Sequence, residues 1–303
     1  MASLSIANKI AKEALAEFLG TAVLMLFGVG SVAQFVLSEG ETGSTDQVRW
    51  AWGLGVTFGV YVAGGVSGGH LNPAVTLTLC ILKRVPWIKL IPYWVGQYVG
   101  SFVASCLVYL VYYDAFQSFK GGNYTIETAS IFSTYPQSYL SLANGLSDQI
   151  LGTAILMLLV LAVTDPNNMA PAKGYVPFIV GLVVVAIGMT FSHNCGYAIN
   201  PARDFSPRLF TLMAGWGHQV FSVNDYRWFW IPVVGPYIGA VIGGAIYEAC
   251  ISLKFPCFKH DNGEADVVDL EFVNDSFQTT GDVGSSSKYQ HDVQVNHREI
   301  TNL

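Results

Sequence analysis

The sequences HLNPAVT at residues 70–76 and AINPARD at residues 198–204 share the tripeptide Asn-Pro-Ala. Asn is a preferred helix N-cap, and Pro suits the first turn of a helix because the N–H that it lacks would have no partner there. The apolar run after each triplet lasts only about a dozen residues, whereas crossing a bilayer takes about 20. The pattern therefore predicts two half-helices in a membrane protein, one in each half of the chain. The residues that open them are Asn72, Pro73, Ala74, Asn200, Pro201 and Ala202.

Apolar residues dominate the composition. Of the 303 residues, 52% are hydrophobic and only 12% are charged, whereas charged residues make up about 25% of a typical soluble domain. Six stretches are long and apolar enough to span a membrane. They predict an all-α membrane protein with six transmembrane helices and two re-entrant half-helices. The predicted spans cover residues 14–37, 50–68, 88–112, 145–163, 175–192 and 229–251.

The predicted helices fall into two sets with the same order. Three spans, with a half-helix after the second, occupy residues 14–112, and the arrangement returns over residues 145–252. Because three is an odd number, the second set must enter the membrane upside down relative to the first, which is the pattern of an inverted repeat. Glu17 and Gln149 occupy corresponding positions before the two triplets. We therefore predict one membrane domain over residues 14–252.

Basic residues outside the spans predict the orientation. Most of them lie on the side of the N-terminus, and the positive-inside rule places that side in the cytoplasm. We expect residues 1–13 and both termini to be cytoplasmic, in a multi-pass protein of the plasma membrane. Residues 253–303 are mostly polar and acidic and are predicted to form a disordered cytoplasmic tail. The basic residues on the N-terminal side are Lys9, Lys12, Lys83, Arg84, Lys89, Lys173 and Lys254, and those on the other side are Arg49, Lys120 and Arg227.

The segments that lead into the two triplets must be non-helical. Inside a membrane such backbone is tolerated only where it is buried in protein or lines a wet cavity. Its carbonyls have no helical partners and form a row of acceptors, while the two Asn side chains donate where the half-helices meet. This arrangement suits a file of hydroxyl-bearing molecules, and the positive ends of the two helix dipoles repel cations. The predicted carbonyls belong to Gly68, Gly69, His70, Gly196, Tyr197 and Ala198.

With these motifs, residues 12–252 resemble the major intrinsic protein (aquaporin) family. The resemblance rests on the paired triplets within HLNPAVT and AINPARD and on the six-span layout. It implies a passive channel and a homotetramer in which each protomer holds its own pore. By their offsets from the triplets, the family's four selectivity positions fall on Trp52, Gly188, Tyr197 and Arg203.

The residues at these positions favour the glycerol-conducting branch of the family, the aquaglyceroporins. Strict water channels of the family place a His where Gly188 stands and a smaller aromatic residue where Trp52 stands. Trp52 and Tyr197 can form an apolar corner, and Arg203 provides fixed donors opposite, which matches the CH edge and the OH edge of glycerol. We therefore predict passage of glycerol and water, with urea and other small neutral solutes as further candidates.

Two further features bear on the branch. Asp204 and Arg208 also resemble the glycerol-conducting members. The pair Pro236-Tyr237 departs from them, because that branch usually shows Leu or Ile after this Pro. An aromatic residue there could alter the packing behind the pore, so the solute range stays open.

Some of these residues have simpler alternative explanations. Asn72 and Asn200 could be helix caps without a further role. Arg203 could be an ion-pair partner of Asp204, although an intramembrane Arg is functional by default. Trp52 could be one of the aromatic residues that mark a membrane interface.

Two titratable side chains carry competing hypotheses. Glu17 could be a coupling carboxylate, but the resemblance implies a brace that accepts N–H groups from the re-entrant loop, with Gln149 as its counterpart. His70 is most simply a packing residue. Because imidazole titrates near pH 6.5, it could also sense pH at the cytoplasmic mouth.

Two rival classes, and one alternative within the channel class, remain open at this point. A coupled secondary transporter needs intramembrane acids, and only Glu17 qualifies. A structural, junction-forming membrane protein predicts short outer loops, whereas the loop over residues 114–144 is long. A strict water pore conflicts with Gly188. With no nucleophile–base pair, metal cluster or phosphate loop near the membrane centre, we expect no enzyme activity, cofactor, metal or nucleic-acid partner.

Two short motifs predict modification and a partner. Asn123-Tyr124-Thr125 is a glycosylation sequon in the predicted outer loop. The final residues Thr301-Asn302-Leu303 have the shape of a PDZ-domain ligand, although an uninvolved chain end is the simpler explanation.

Overall fold

The computed structural model describes residues 2–252, and within that range the chain forms helices and no strands. The predicted tail, residues 253–303, and the predicted PDZ ligand Thr301–Leu303 lie outside the described residues. The helices are α1 (Ala2–Leu37), α2 (Thr45–Ala63), α3 (Pro73–Ile81), α4 (Leu90–Val111), α5 (Tyr113–Ser118), α6 (Ile126–Ala129), α7 (Leu142–Thr164), α8 (Val176–Cys195), α9 (Pro201–Thr211), α10 (Gln219–Tyr226) and α11 (Ile231–Tyr247).

Six long helices and two half-helices, α3 and α9, confirm the predicted architecture. Five of the long helices in the described chain, with their flanking turns, are long and apolar enough to cross a membrane. The sixth, α2, has 19 residues and opens with Asp46, Gln47 and Arg49, which dilute its apolar character. The half-helices are as short as predicted, since α3 has 9 residues and α9 has 11.

The structure moves several of the predicted boundaries, most of all the start of the first span and both ends of the second. α1 begins at Ala2, so residues that were expected to precede the first span form its opening turns. Glu13 in these turns is only 3% exposed, and its Oε2 lies 2.8 Å from Nζ of Lys89. The second span was predicted to reach residue 68, but α2 ends at Ala63. Gly64 and Gly65 follow directly, and glycine weakens a helix because it loses the most conformational freedom on folding.

Close helix contacts through glycine recur in both halves of the chain. Gly100 of α4 lies on α1, and a Cβ there would come closer than 3.0 Å to the carbonyl oxygen of Phe18. Gly243 of α11 lies on α7 in the same way, against the carbonyl oxygen of Ala154. Small residues let helix backbones approach closely in membranes, where packing rather than the hydrophobic effect holds helices together. The same kind of contact therefore stabilises the corresponding helix pair of each half.

The two halves meet where α2 crosses α8. A Cβ on Gly53 would lie 2.7 Å from the Gly181 oxygen, and one on Gly181 would lie 2.5 Å from the Gly53 oxygen. This reciprocity is what a pseudo-two-fold axis through the crossing produces. The crossing therefore has the symmetry of the predicted inverted repeat.

The segment between α4 and α7, predicted only as a long loop, is folded into the molecule. It forms α5 and α6, and it buries Phe116 and Phe132, which are 2% and 0% exposed. Their rings join those of Phe210 and Trp216 at centroid distances of 5.2 to 5.9 Å. Aromatic contacts at such distances contribute stabilisation beyond that from the buried area alone. The segment is therefore fixed against α9 and can position groups beside it.

Gly243→Ala should lower the thermal stability of the protein in detergent. The added methyl would overlap the Ala154 carbonyl and push α11 from α7, and overpacking of this kind costs about 1–3 kcal/mol. Gly174→Ala is the matched control, because nothing lies within 4 Å of a Cβ there. Heating followed by size-exclusion chromatography should show a lower midpoint for Gly243→Ala only. Equal midpoints would contradict the packing role.

Candidate functional site

Both Asn-Pro-Ala triplets open their half-helices in nearly the same conformation. Asn72 has φ −151° and ψ 119°, and Asn200 has φ −153° and ψ 113°. Each Asn Oδ1 accepts the backbone N–H of the Ala two residues later, at 2.9 Å in the first triplet and 3.0 Å in the second. The caps satisfy N–H groups that would otherwise be orphaned at the buried start of each helix.

The same two side chains tie the half-helices to each other. Asn72 Nδ2 donates to the carbonyl of Ile199 at 2.9 Å, and Asn200 Nδ2 donates to the carbonyl of Leu71 at 2.8 Å. Leu71 and Ile199 stand directly before the two Asn residues, with φ of 53° and 43°. A positive φ is uncommon for bulky and β-branched residues. The crossed hydrogen bonds therefore hold an unfavourable backbone conformation in place on both sides.

A cavity of about 260 Å³ lies beside this pair of Asn residues, and both line it. Each amide group has a second N–H besides the one bonded to the opposite half-helix, and that N–H has no partner among the described residues. Within the described chain, no residue donates to any of the six carbonyls that were predicted to form a row of acceptors. Gly196 lines a second cavity of about 280 Å³. The other five residues of the row line the first cavity, namely Gly68, Gly69, His70, Tyr197 and Ala198.

Glu17 holds the first re-entrant segment from behind. Its side chain is completely buried and accepts the backbone N–H groups of His70 at 2.9 Å and Leu71 at 2.8 Å. The hydroxyl of Ser67 and the amide of Gln97 donate to it as well, at 2.5 and 2.8 Å. Each carboxylate oxygen thus receives two donors, and hydrogen bonds to an ionised acceptor are about twice as strong as neutral ones.

Gln149 occupies the corresponding place behind the second segment, with fewer contacts. It is completely buried, and its Oε1 accepts the backbone N–H of Ile199 at 3.1 Å. Its Nε2 lies 3.2 Å from Sγ of Cys195. Because a neutral amide accepts through one oxygen only, this side chain holds one backbone N–H where Glu17 holds two.

Trp52, Tyr197 and Arg203 line both cavities and therefore form the neck between them. All three are nearly buried, at 5%, 8% and 7% exposure. The guanidinium carbon of Arg203 lies 4.0 Å from the centre of the Trp52 ring, which is within the range of a cation–π contact. Trp50, by contrast, is 42% exposed. The structure brings these three predicted selectivity residues together at one place.

Gly188, the fourth predicted selectivity residue, provides the space behind Tyr197. A Cβ on Gly188 would lie 2.8 Å from Cζ and 3.0 Å from the hydroxyl oxygen of that ring. The Tyr197 hydroxyl is buried without a partner among the described residues. Any side chain at position 188 would therefore displace the ring from its present place at the neck.

The folded segment before α7 fixes Arg203. Its Nη1 donates to the carbonyl of Phe132 at 3.0 Å. The alternative ion pair with Asp204 does not form, because Asp204 binds Arg208 with its Oδ1 2.8 Å from Nη2. Asp204 also accepts the backbone N–H of Thr134 at 2.7 Å. The sequence did not predict the contribution of Phe132 or Thr134, since a backbone carbonyl or N–H in a connecting segment has no motif.

His70 lies in the wall of the first cavity, the one that Asn72 and Asn200 line. Its Nδ1 is 3.1 Å from the hydroxyl of Thr76, and its ring centroid is 5.1 Å from that of Tyr93. These contacts agree with the packing explanation. The role of His70 as a pH sensor stays a prediction.

Tyr237, which departs from the glycerol-conducting branch, packs away from the neck and lines neither of the two cavities. Its hydroxyl lies 3.2 Å from that of Tyr98, and its ring centroid lies 5.5 Å from that of Trp94. Trp94 in turn donates to the carbonyl of Pro73 at 3.0 Å. Tyr237 therefore supports the first half-helix through Trp94.

Comparison with known proteins identifies the family. The sequence profile of the Major intrinsic protein family matches residues 5–247. The chain belongs to this family. Its members are passive membrane channels and not enzymes, so the predicted resemblance and the expectation of no enzyme activity are confirmed.

Individual members of the family match most of the chain. Aquaporin-10 of Milnesium tardigradum is 51% identical over 267 residues, which cover 83% of this chain and 65% of that relative's length. Aquaporin-9 of Homo sapiens is 48% identical over 254 residues, which cover 82% of this chain and 85% of the relative. The solved structure of the aquaglyceroporin from Plasmodium falciparum superposes with a TM-score of 0.73 at 33% identity, covering 80% of this chain and 97% of that one.

In this family member, Glu17→Gln should lower both thermal stability and water permeability. The new amide nitrogen would face two N–H donors in place of an accepting oxygen, and each buried donor left unpaired costs about 1–3 kcal/mol. Gln149→Ala is the comparison, because it removes an acceptor from one backbone N–H only. Thermal midpoints in detergent and osmotic shrinkage of proteoliposomes should show the larger loss for Glu17→Gln. A larger loss for Gln149→Ala would contradict the greater importance of the first brace.

Proposed function

We propose that this protein conducts glycerol and water passively across the membrane, down their gradients. The observation that carries the proposal is the neck, where the rings of Trp52 and Tyr197 meet the guanidinium of Arg203. One Arg203 donor is bonded to Phe132, and a guanidinium has five in all, so others remain for solute hydroxyl groups. Glycerol presents CH groups to the rings and OH groups to Arg203. Urea and other small neutral solutes are secondary candidates.

The first cavity, which Asn72 and Asn200 line, extends the same chemistry beyond the neck. Unpaired carbonyls from the two re-entrant segments are available as acceptors along its wall, and the amide groups of Asn72 and Asn200 are available as donors. A hydroxyl group that leaves water can exchange its hydrogen bonds for these without a large desolvation cost. The arrangement therefore suits a molecule that both donates and accepts.

The electrostatics of the same site oppose cations. The N-termini of α3 and α9 meet at the Asn pair, and each carries the positive end of a helix dipole. Arg203 adds a full positive charge at the neck. Among the described residues that line the two cavities none is acidic, so a cation or proton finds no compensating charge.

The contacts of Glu17 favour a channel over a coupled transporter. Coupling needs an acid that is free to exchange a proton or bind an ion within the membrane. Glu17 is completely buried and is bonded to Ser67, His70, Leu71 and Gln97. It acts as a structural brace, and the segment that it holds is part of the pore wall.

Stopped-flow light scattering on proteoliposomes tests the proposal. A sucrose gradient should cause fast shrinkage, and a glycerol gradient should cause shrinkage followed by fast re-swelling, with neither acceleration in protein-free liposomes. Fast shrinkage in glycerol without fast re-swelling would mean a water-only pore. No acceleration of either phase, with protein shown to be folded, would overturn the channel function itself.

Gly188→His provides the matched variant for that experiment. The side chain would displace the Tyr197 ring and occupy the neck, so glycerol permeability should fall about tenfold or more if the overpacking adds to the barrier for the wider solute. Water is narrower, and its permeability should change much less. An unchanged ratio of the two permeabilities would contradict the assignment of the neck as the selectivity site.

We also propose that the chain is a multi-pass protein of the plasma membrane with both termini in the cytoplasm, and that it forms a homotetramer. The excess of basic residues on the N-terminal side supports the orientation. Apolar side chains on the outer faces of α1 and α2 remain exposed and are available to lipid or to neighbouring protomers, for example Leu15, Leu19, Phe27 and Phe58. The PDZ ligand at Thr301–Leu303 stays a prediction.

We further propose that Asn123 is glycosylated on the outer side. It is exposed, and its neighbour Tyr124 is anchored with its ring stacked on Trp216 at a centroid distance of 4.3 Å. In protein from eukaryotic cells, enzymatic deglycosylation should raise the gel mobility of the wild type but not of Asn123→Gln. Asn274→Gln, at the other sequon in the chain, should behave like the wild type. A shift lost in Asn274→Gln instead would place the tail outside.

A further inference from the structure

One face of the Trp52 side chain lies directly on the backbone of α1, at Gly28. A Cβ on Gly28 would come closer than 3.0 Å to Cδ2, Cε3 and Cζ3 of the Trp52 ring. These are three consecutive ring atoms at nearly equal distances, so the face of the ring rather than its edge lies against Gly28. Real Cβ atoms essentially never approach so closely. Only glycine at position 28 therefore allows the ring its present place.

The ring of Trp52 has a second neighbour, the side chain of Arg203. The Arg203 guanidinium carbon lies 4.0 Å from the ring centre, and Phe132 holds that guanidinium through a hydrogen bond of 3.0 Å. The Trp52 ring thus contacts both α1 and Arg203. A ring pushed away from α1 has to move relative to Arg203, and these two side chains line both cavities at the neck.

We propose that Gly28 is a positioning residue that sets the width of the neck, because it lets Trp52 withdraw against the α1 backbone. The inference rests on the proposed function, and it adds a specificity determinant from α1 to the four selectivity positions on α2, α8 and the second re-entrant element. Gly28 acts through Trp52 and makes no contact with the solute. Gly188 does the same for Tyr197, since a Cβ there would lie 2.8 Å from that ring.

The neighbours of Gly28 distinguish this role from ordinary helix packing. Gly20 lies two turns earlier on α1, and a Cβ there would lie 2.8 Å from the carbonyl oxygen of Gly59 on α2. Gly20 therefore allows the backbones of α1 and α2 to approach each other. At Gly28 the three nearest atoms all belong to the ring of Trp52. A methyl group at position 28 therefore acts first on the side chain that lines the neck and not on the distance between the helices.

The proposal predicts a change in selectivity in Gly28→Ala. The methyl would displace the ring at the neck and raise the barrier for the wider solute, so glycerol permeability should fall about tenfold. Water needs a narrower opening, so its permeability should fall much less. Stopped-flow measurements on proteoliposomes with sucrose and glycerol gradients give both permeabilities from one preparation.

Gly30→Ala is the matched control. It adds the same methyl to the same helix two residues later, where nothing lies within 4 Å of a Cβ. It should leave both permeabilities at the wild-type level. Gly28→Ala/Trp52→Phe is the rescue variant, because the smaller ring leaves room for the methyl. Its glycerol permeability should approach that of Trp52→Phe alone.

The outcomes separate this inference from the proposed function. Wild-type protein that conducts no glycerol would overturn the proposed function, and with it the basis of the inference. Normal wild-type flux with an unchanged glycerol-to-water ratio in folded Gly28→Ala would overturn only the role of Gly28. An equal fall of both permeabilities that Trp52→Phe does not rescue would also overturn it, because it would indicate a general packing defect.

Loss of folding is an informative result as well. If Gly28→Ala does not fold but the double variant folds and conducts, the contact between residue 28 and the Trp52 ring is supported by the rescue. If both fail to fold while Gly30→Ala folds, residue 28 does more than seat the ring, and the proposal is wrong. Size-exclusion chromatography of each variant before reconstitution makes this distinction.

Discussion

The crossed hydrogen bonds between the two re-entrant elements are the contacts on which the rest of the site depends. Two helix N-termini that point at each other repel through their dipoles, and Leu71 and Ile199 both adopt a positive φ. Asn72 and Asn200 offset both costs. Each caps its own helix and donates to the carbonyl of the residue that precedes the other Asn. The geometry that closes the middle of the protein thus also fixes the unpaired carbonyls and N–H groups that face the cavity.

α4 secures this junction from the side. Trp94 donates to the carbonyl of Pro73, and Ser101 donates to the carbonyl of Ala202 at 2.7 Å, so one helix contacts the opening turn of both half-helices. Gln97 lies between them and donates to both Glu17 and Thr76. A half-helix cannot bury its apolar surface alone. Its position is therefore set by a long helix that packs on both elements, in addition to the braces behind them.

The starts of the half-helices could be predicted from the sequence because a cap and a proline are local signals. The carboxylate of Glu17 could be assigned a partner only through the family resemblance, since its donors stand far away in the chain. The hydrogen bond from Arg203 to the carbonyl of Phe132 and the contact of the Trp52 ring with Gly28 could not be predicted. A backbone acceptor in a connecting segment has no residue signature, and a glycine in an apolar helix looks the same whether it faces a backbone or a ring.

The neck breaks the symmetry that the Asn pair keeps. The first half of the chain contributes Trp52, whereas the second half contributes Tyr197 and Arg203. Pseudo-symmetry is sufficient for capping two equal helices, but recognition of a molecule with one apolar and one polar edge requires unlike groups on the two sides. The folded segment before α7 contributes to this asymmetry through Phe132, which fixes Arg203. The proposed selectivity site therefore lies beside the junction of the repeats, where unlike side chains from the two halves meet without disturbing the crossed hydrogen bonds.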